Sequence, residues 1–217
     1  MTPGHPVPSW RVRERRARHD ALLDAARAVF AERGYHAATV EEIAVRAEVG
    51  KGTVYLHFPE GKAALLDAVV GAHLDDLRAL VFRSFGEGEG TVRYRFWTLA
   101  LAVATYFQER PELLRFHALE LPHLYFDPEA GPTAGRIDRL VGDLIDVVAP
   151  ALEAAGGTGA IPTRLAAYHL LVTLLGALTA LSLTADDAAC AWGLVPSELA
   201  DALTALAFDG VPLGPPP

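Results

Sequence analysis

The chain has 217 residues, 51% of them apolar and 21% charged, and its one cysteine is Cys190. Such a composition excludes disorder for the bulk of the chain and allows a core that needs no covalent staple, while a lone cysteine excludes an intrachain disulfide or a cysteine-rich zinc module and fits a reducing compartment. The formal net charge is −8, but residues 1–62 carry ten Arg and Lys against eight acids and the remainder carries nine against 19, a split that suggests either a nucleic-acid-facing end on an acidic body or a solvated basic tail.

In chain order, residues 1–14 read as a disordered basic arm, rich in Pro and Arg and without the apolar run of a signal peptide, so the expected location is the cytoplasm. A first helix is predicted from about Arg15 to Arg33, with Leu22, Leu23, Ala26, Val29 and Phe30 as its apolar stripe and Gly34 as its left-handed terminator. Thr39 and Glu42 form a capping box that opens a short helix ending near Glu48. A turn at Val49-Gly50 leads to a third helix over Lys51–His57, and a longer helix is predicted over about Lys62–Phe85. Beyond the linker at 86–90, helical patterns occupy about 91–108, 111–125, 133–154, 162–184 and 196–208. No alternating strand pattern emerges, so the expected fold is all-α with about nine helices. Its parts are a three-helix unit at 15–62, with two short helices and their turn at 39–58, a larger helical body at 63–210, and a flexible tail at 211–217.

Two short helices joined by a glycine turn have helix-turn-helix proportions, and cations beside the reading helix are what phosphate neutralisation requires. The run from Leu22 to Tyr35, then Thr39-Val40-Glu41-Glu42-Ile43-Ala44, then Val49 to Phe58, and Lys62 with Leu65-Leu66 resembles the tetracycline-repressor-like (TetR/AcrR) family of bacterial transcriptional regulators over about residues 16–70. Three departures stand out. Glu48 replaces the usual turn glycine, Gly50 stands where serine is frequent and so lacks a hydroxyl cap, and Glu60-Gly61 lengthens the approach to Lys62. The resemblance implies a homodimer that binds double-stranded operator DNA, a repressor released by a small-molecule effector, with an effector-independent regulator or an activator as alternatives. A small-molecule-binding protein without DNA function is the alternative from another class.

The DNA-binding candidates are Thr39, Gly50, Lys51, Gly52, Thr53, Tyr55, His57 and Lys62. Thr39 serves as cap or phosphate contact. Lys51 and Thr53 open the reading helix, where side chains reach base edges or phosphate, and Gly52 permits close approach of the backbone. Tyr55, His57 and Lys62 resemble phosphate-contacting positions of the family. In the body, Phe96, Trp97, Tyr106, Phe107, Phe116, His117, Tyr125 and His169 are candidates to line a pocket for an apolar or aromatic effector, or else plain core. The segment Leu165–Leu183 is uncharged but broken by His169, Thr173, Gly176, Thr179 and Ser182, so it reads as a buried interface helix rather than a membrane span. With 196–208 it supplies the expected dimer surface, namely Leu170, Leu174, Ala177, Leu178, Leu181, Leu199, Leu203 and Leu206. No catalytic residue, cofactor or metal site is expected: His117 and Glu120 share a helix face, but His123 falls off it.

Overall fold

The computed structural model describes residues 10–126, 132–184 and 195–210, with the side chains of residues 125, 126, 132, 134, 178 and 181–184 left aside. The expected tail at 211–217 and the first nine residues of the expected arm lie outside the described residues. All described regular structure is helical: α1 (Trp10–Arg33), α2 (Val40–Arg46), α3 (Lys51–His57), α4 (Lys62–Val81), α5 (Val92–Gln108), α6 (Pro111–Arg115), α7 (Leu121–Phe126), α8 (Pro132–Ala154), α9 (Thr163–Thr184) and α10 (Pro196–Asp209). A π-helical turn, Phe82–Gly86, extends α4, and another, Phe116–Glu120, joins α6 to α7 without a break. Counting that run once gives the nine expected helical rods among the described residues. The 3.6-residue pattern at 111–125 conceals the π turn because one extra residue there shifts the faces without interrupting the helix.

Two units divide the chain, Met1–Val69 and Val70–Pro217. The division falls within α4, after Val69. In the first unit, Leu22, Ala26, Val29 and Phe30 of α1 meet Val40, Ile43 and Ala44 of α2, with Val54 of α3 and Phe58, all buried. Each large side chain so buried contributes roughly 1.5–3 kcal/mol. The arm expected to be disordered through residue 14 is helical from Trp10 onward. Arg and Ala favour the helix intrinsically, and an Arg18–Glu14 pair at 2.7 Å supports it one turn apart.

Local chemistry sets the entry and exit of α2. Thr39 Oγ1 accepts from the Glu42 amide at 3.2 Å while the Thr39 amide donates to Glu42 Oε2 at 3.0 Å, so the expected capping box is formed. At the other end Glu48 sits at φ 55°, the only non-glycine residue at positive φ among those described. Its amide donates to Val45 O at 3.1 Å and the next amide, Val49, donates to Ala44 O at 3.0 Å. These are the two bonds of a Schellman cap, which close the helix and reverse the chain.

In the second unit α10 lies along α5. Arg93 grips Asp209 through two bonds of 2.6 Å, and Trp97 Nε1 donates to Asp201 at 2.7 Å. Phe96 meets Phe208 edge-to-face at 5.6 Å. α9 packs against α8, and Ala167, Leu171 and Leu174 are buried.

Holding a glutamate in the left-handed region costs about 1–2 kcal/mol, partly offset against glycine's greater backbone entropy. Glu48→Gly is therefore expected to stabilise the protein by roughly 0.5–1 kcal/mol. The check is a rise in the urea midpoint at unchanged m-value; an unchanged or lower midpoint would contradict the strain at this turn.

Candidate nucleic-acid interface

The α3 helix presents a largely open face. Lys51 and Gly52 are exposed, Thr53 and His57 are half-buried, and Tyr55 is 42% exposed, while Val54 points into the core. Gly50 is the N-cap, at φ −72° and ψ 147°, and has no side chain to accept from the first-turn amides. A Cβ built at Gly50 or at Gly52 meets nothing within 4 Å. Neither glycine is thus required by packing or by an unusual φ. At Gly52, in the first turn of a helix, the missing side chain forgoes helix propensity for no gain inside the chain. What it leaves is a bare strip of backbone at the N-terminal end of α3, the end that enters a major groove in helix-turn-helix proteins.

The neighbouring side chains are tied within the unit. The Lys51 ammonium is paired with the Glu41 carboxylate on α2, which raises the lysine pKa and lowers that of the glutamate. Its Nζ also lies 6.0 Å from the Tyr55 ring centroid. The Tyr55 ring rests beside Gly61, where a Cβ would come within 3.1 Å of Tyr55 Cε1. Gly61 is at φ 63°, so the α3–α4 turn needs glycine both for conformation and for room. His57 closes the row: its ring centroid is 5.9 Å from His19, which stacks on Phe58 at 4.7 Å. Desolvation, then the neighbouring His19, Arg15 and Arg18 charges, hold the His57 pKa below its usual value. The basic residues of α1 thus gather near the C-terminal end of α3, where their charges can meet a phosphate backbone. Pattern reading along α3 passes over Glu41 and His19 as part of this surface, because they come from other helices.

Lys62 also holds a loop within the unit. Its Nζ donates to Tyr35 O at 2.9 Å and His36 O at 3.1 Å and sits 4.6 Å from the Tyr35 ring centroid. The first residue of α4 thereby clamps the loop between α1 and α2. Thr39 is exposed but committed to its capping box.

The body candidates do not gather into one set. Phe96 and Trp97 belong to the seam between α5 and α10, and the Trp97 N–H is used on Asp201, so they are reassigned from pocket to packing. His169 is exposed on α9. Tyr106, Phe107 and His117 do come together, around a residue that periodicity did not single out, His73 of α4. Phe116 is fully buried beside His117 in sequence, and the Tyr125 side chain lies outside the described residues.

The surface expected for dimerisation changes too. Leu170, Leu174 and Leu203 are 7%, 2% and 1% exposed and belong to the unit's own core. Ala177 and Leu199 are half-buried, Leu206 is exposed, and the side chains of Leu178 and Leu181 lie outside the described residues. The outward apolar face of α9 is instead Leu165, Tyr168 and Val172 followed by Gly176, at helical spacing, beside Ala202 and Leu206 on α10. No helix among the described residues is long and apolar enough to cross a membrane. Nor do they hold a group of His, Cys, Asp and Glu that could ligate a metal.

The three-helix unit, with its capped α2, its left-handed turn and its open α3, has the form of a helix-turn-helix DNA-binding domain. Residues 22–69 of the chain match the model of bacterial regulatory proteins of the tetR family. It is 50% identical over 60 residues to the transcriptional activator FasR of Mycolicibacterium smegmatis, covering 28% of this chain and 27% of that protein. It is 33% identical over 134 residues to the transcriptional repressor KstR of the same species, covering 62% of this chain and 60% of that one. The chain therefore spans between about a quarter and three-fifths of these relatives. In fold it is similar to the FadR regulator of Bacillus subtilis solved with stearoyl-CoA, at a TM-score of 0.73 and 20% identity, covering 89% of this chain and 99% of that one.

Gly52→Ala separates stability from binding. With no steric obstacle, it is expected to stabilise the fold by up to about 1 kcal/mol. If the bare backbone is where DNA approaches, the added methyl weakens duplex binding by about tenfold, equivalent to about 1.4 kcal/mol. Thermal unfolding and fluorescence anisotropy on a selected duplex check the two halves; unchanged affinity removes Gly52 from the interface.

Proposed function

We propose that the protein is a homodimeric transcriptional regulator that binds a two-fold symmetric DNA operator through α3 and leaves it when a small-molecule effector enters the helical unit. The open backbone at Gly52, flanked by Lys51, Thr53 and Tyr55, carries the reading: no atom of the described residues lies within 4 Å of a Cβ built there. Lys51 and the arginines of α1 supply the phosphate-facing charge. The effector is an apolar or aromatic molecule, a reading supported by the aromatic surroundings of His73 and His117 and by the acyl-CoA held by the FadR regulator of similar fold. No catalytic role is proposed for any residue.

Repression is the favoured sign, since the relative matched over the greater length is a repressor. The second reading, activation, is favoured by the high identity to FasR, which is confined to 60 residues. The position of the operator relative to the promoter separates these readings, and a reporter driven by a promoter carrying the selected operator falls for a repressor and rises for an activator.

Selection of bound fragments from random DNA supplies the operator. Affinity for it is expected to fall linearly in log K against log[salt], with a slope of about −0.9 per phosphate neutralised, and Lys51→Ala is expected to reduce that slope by about one such step. Salt-independent binding, or a Lys51→Ala slope equal to that of the wild type, would contradict the assignment.

Dimerisation is expected through the outward faces of α9 and α10, and a two-fold pair can present two α3 helices to half-sites about 34–36 Å apart. Val172 is 46% and Leu206 44% exposed, so Val172→Glu and Leu206→Glu should leave the monomer folded but shift sedimentation from dimer to monomer and abolish operator binding. Leu174→Glu, at a core position, should instead unfold the unit, because an unpaired charge would be buried. Folded dimers of both surface variants would rule the interface out.

A further inference from the structure

A run of polar side chains crosses the apolar interior of the second unit. Tyr106 donates its O–H to Asp76 Oδ2 at 3.0 Å. His73 Nδ1 lies 3.3 Å from the same phenol oxygen, and His73 Nε2 lies 2.9 Å from His117 Nδ1. His73 is fully buried, and Phe107 stands beside both imidazoles, with ring centroids 5.8 and 5.5 Å away. The π turn at Phe116–Glu120 carries His117 into this chain.

Proton counting gives the chain a direction. Asp76 is exposed, and an ionised carboxylate only accepts. The single phenolic proton is therefore committed to it, and the Tyr106 oxygen can only accept from His73. Nδ1 of His73 must then carry the proton. In a neutral imidazole this leaves Nε2 as an acceptor, so the proton between the two rings belongs to Nδ1 of His117. Nε2 of His117 is left with a bare lone pair and has no hydrogen-bond partner among the described residues. Desolvation lowers the His117 pKa to about 4, so the ring stays neutral, yet its side chain keeps some accessible surface. An acceptor that no side chain of the unit satisfies, set at the accessible edge of an apolar cluster, is open to a donor from outside the chain.

We infer that the chain Asp76–Tyr106–His73–His117 fixes His117 Nε2 as a hydrogen-bond acceptor, so that the effector carries a donor, a hydroxyl or an N–H, where it meets that nitrogen. This rests on the effector reading of the helical unit and names the chemical class that reading leaves open. A ligand offering only a carbonyl or ether oxygen must reverse every bond in the chain, shifting both imidazoles to the other tautomer and withdrawing the tyrosine proton from Asp76.

Two measurements on the full chain test the inference. Long-range proton–nitrogen NMR of the imidazoles, assigned with His117→Gln, is expected to show both His73 and His117 protonated at Nδ1. An Nε2–H on either ring overturns the proposal. Asp76→Ala alters an exposed residue and is expected to release the tyrosine proton, so that Nε2–H forms become populated at both rings; unchanged tautomers there show that Asp76 does not set the direction and overturn it as well. The binding arm uses 2-naphthol and 2-methoxynaphthalene, which differ in the donor alone. Wild type is expected to prefer 2-naphthol by at least about tenfold, with the preference shrinking several-fold in Asp76→Ala. Equal binding of the two probes by wild type overturns the ligand assignment. Failure of both to bind while the Nδ1–H tautomers are present counts against the effector reading itself and leaves the direction of the chain standing.

Discussion

The path of α3 depends on how the backbone reverses between α2 and α3, and that reversal is made by Glu48 in a conformation most residues avoid. The Schellman bonds from the Glu48 and Val49 amides use the last carbonyls of α2. The capping box at Thr39 satisfies its first amides. Because α2 is only seven residues long, it has little cooperative stability of its own and relies on these ends and on Val40, Ile43 and Ala44 in the core. With α2 held so, Gly50 can start α3 with its apolar residue Val54 inward and its glycine and polar residues outward. The strain at one residue is thus supported by two caps and a shared core, and the exposed face of α3 is its consequence.

Charge in the first unit follows the same economy of placement. Lys51 lies against Glu41, and Lys62 closes over the carbonyls of Tyr35 and His36. Two lysines of one short domain therefore have different roles. One sits on the surface of α3 with its partner equally exposed to water, where an ion pair is weak and exchangeable. The other donates to two backbone acceptors and holds a loop. Sequence position alone treats them alike; the groups they touch separate them.

In the second unit, polar groups divide what composition presents as one aromatic population. Arg93, Asp209, Trp97 and Asp201 fasten α10 to α5 at the surface. His73, His117, Tyr106 and Asp76 form a directed chain in the interior. The first set pins helices together and the second orients protons. Phe96 and Phe107 share one helix, α5, yet Phe96 meets Phe208 while Phe107 faces the histidines. On a helix of 3.6 residues per turn, eleven positions make nearly three full turns, so both rings lie on one buried face at opposite ends of α5.

Local rules determined much of this protein from its sequence: the all-helical class, the capping box at Thr39–Glu42, the termination of α1 at Gly34 and the short helix pair around Gly50. Each of these depends on residues within a few positions of one another, where side-chain chemistry and backbone preference act directly. The helix extending back to Trp10 was hidden by a Pro-rich and Arg-rich beginning whose last part has good helix formers, and the π turn by a hydrophobic pattern that survives one inserted residue. Tertiary structure alone decided that Lys62 serves a loop, that Leu170, Leu174 and Leu203 are core while Leu165, Val172 and Leu206 face outward, and that His73 and His117 meet. An apolar helix such as α9 carries little periodic contrast, so its sequence does not say which side its own unit covers. Two histidines 44 residues apart leave no local signal of their pairing, because only the packing of α4 against the helix containing the π turn brings their nitrogens within hydrogen-bonding distance.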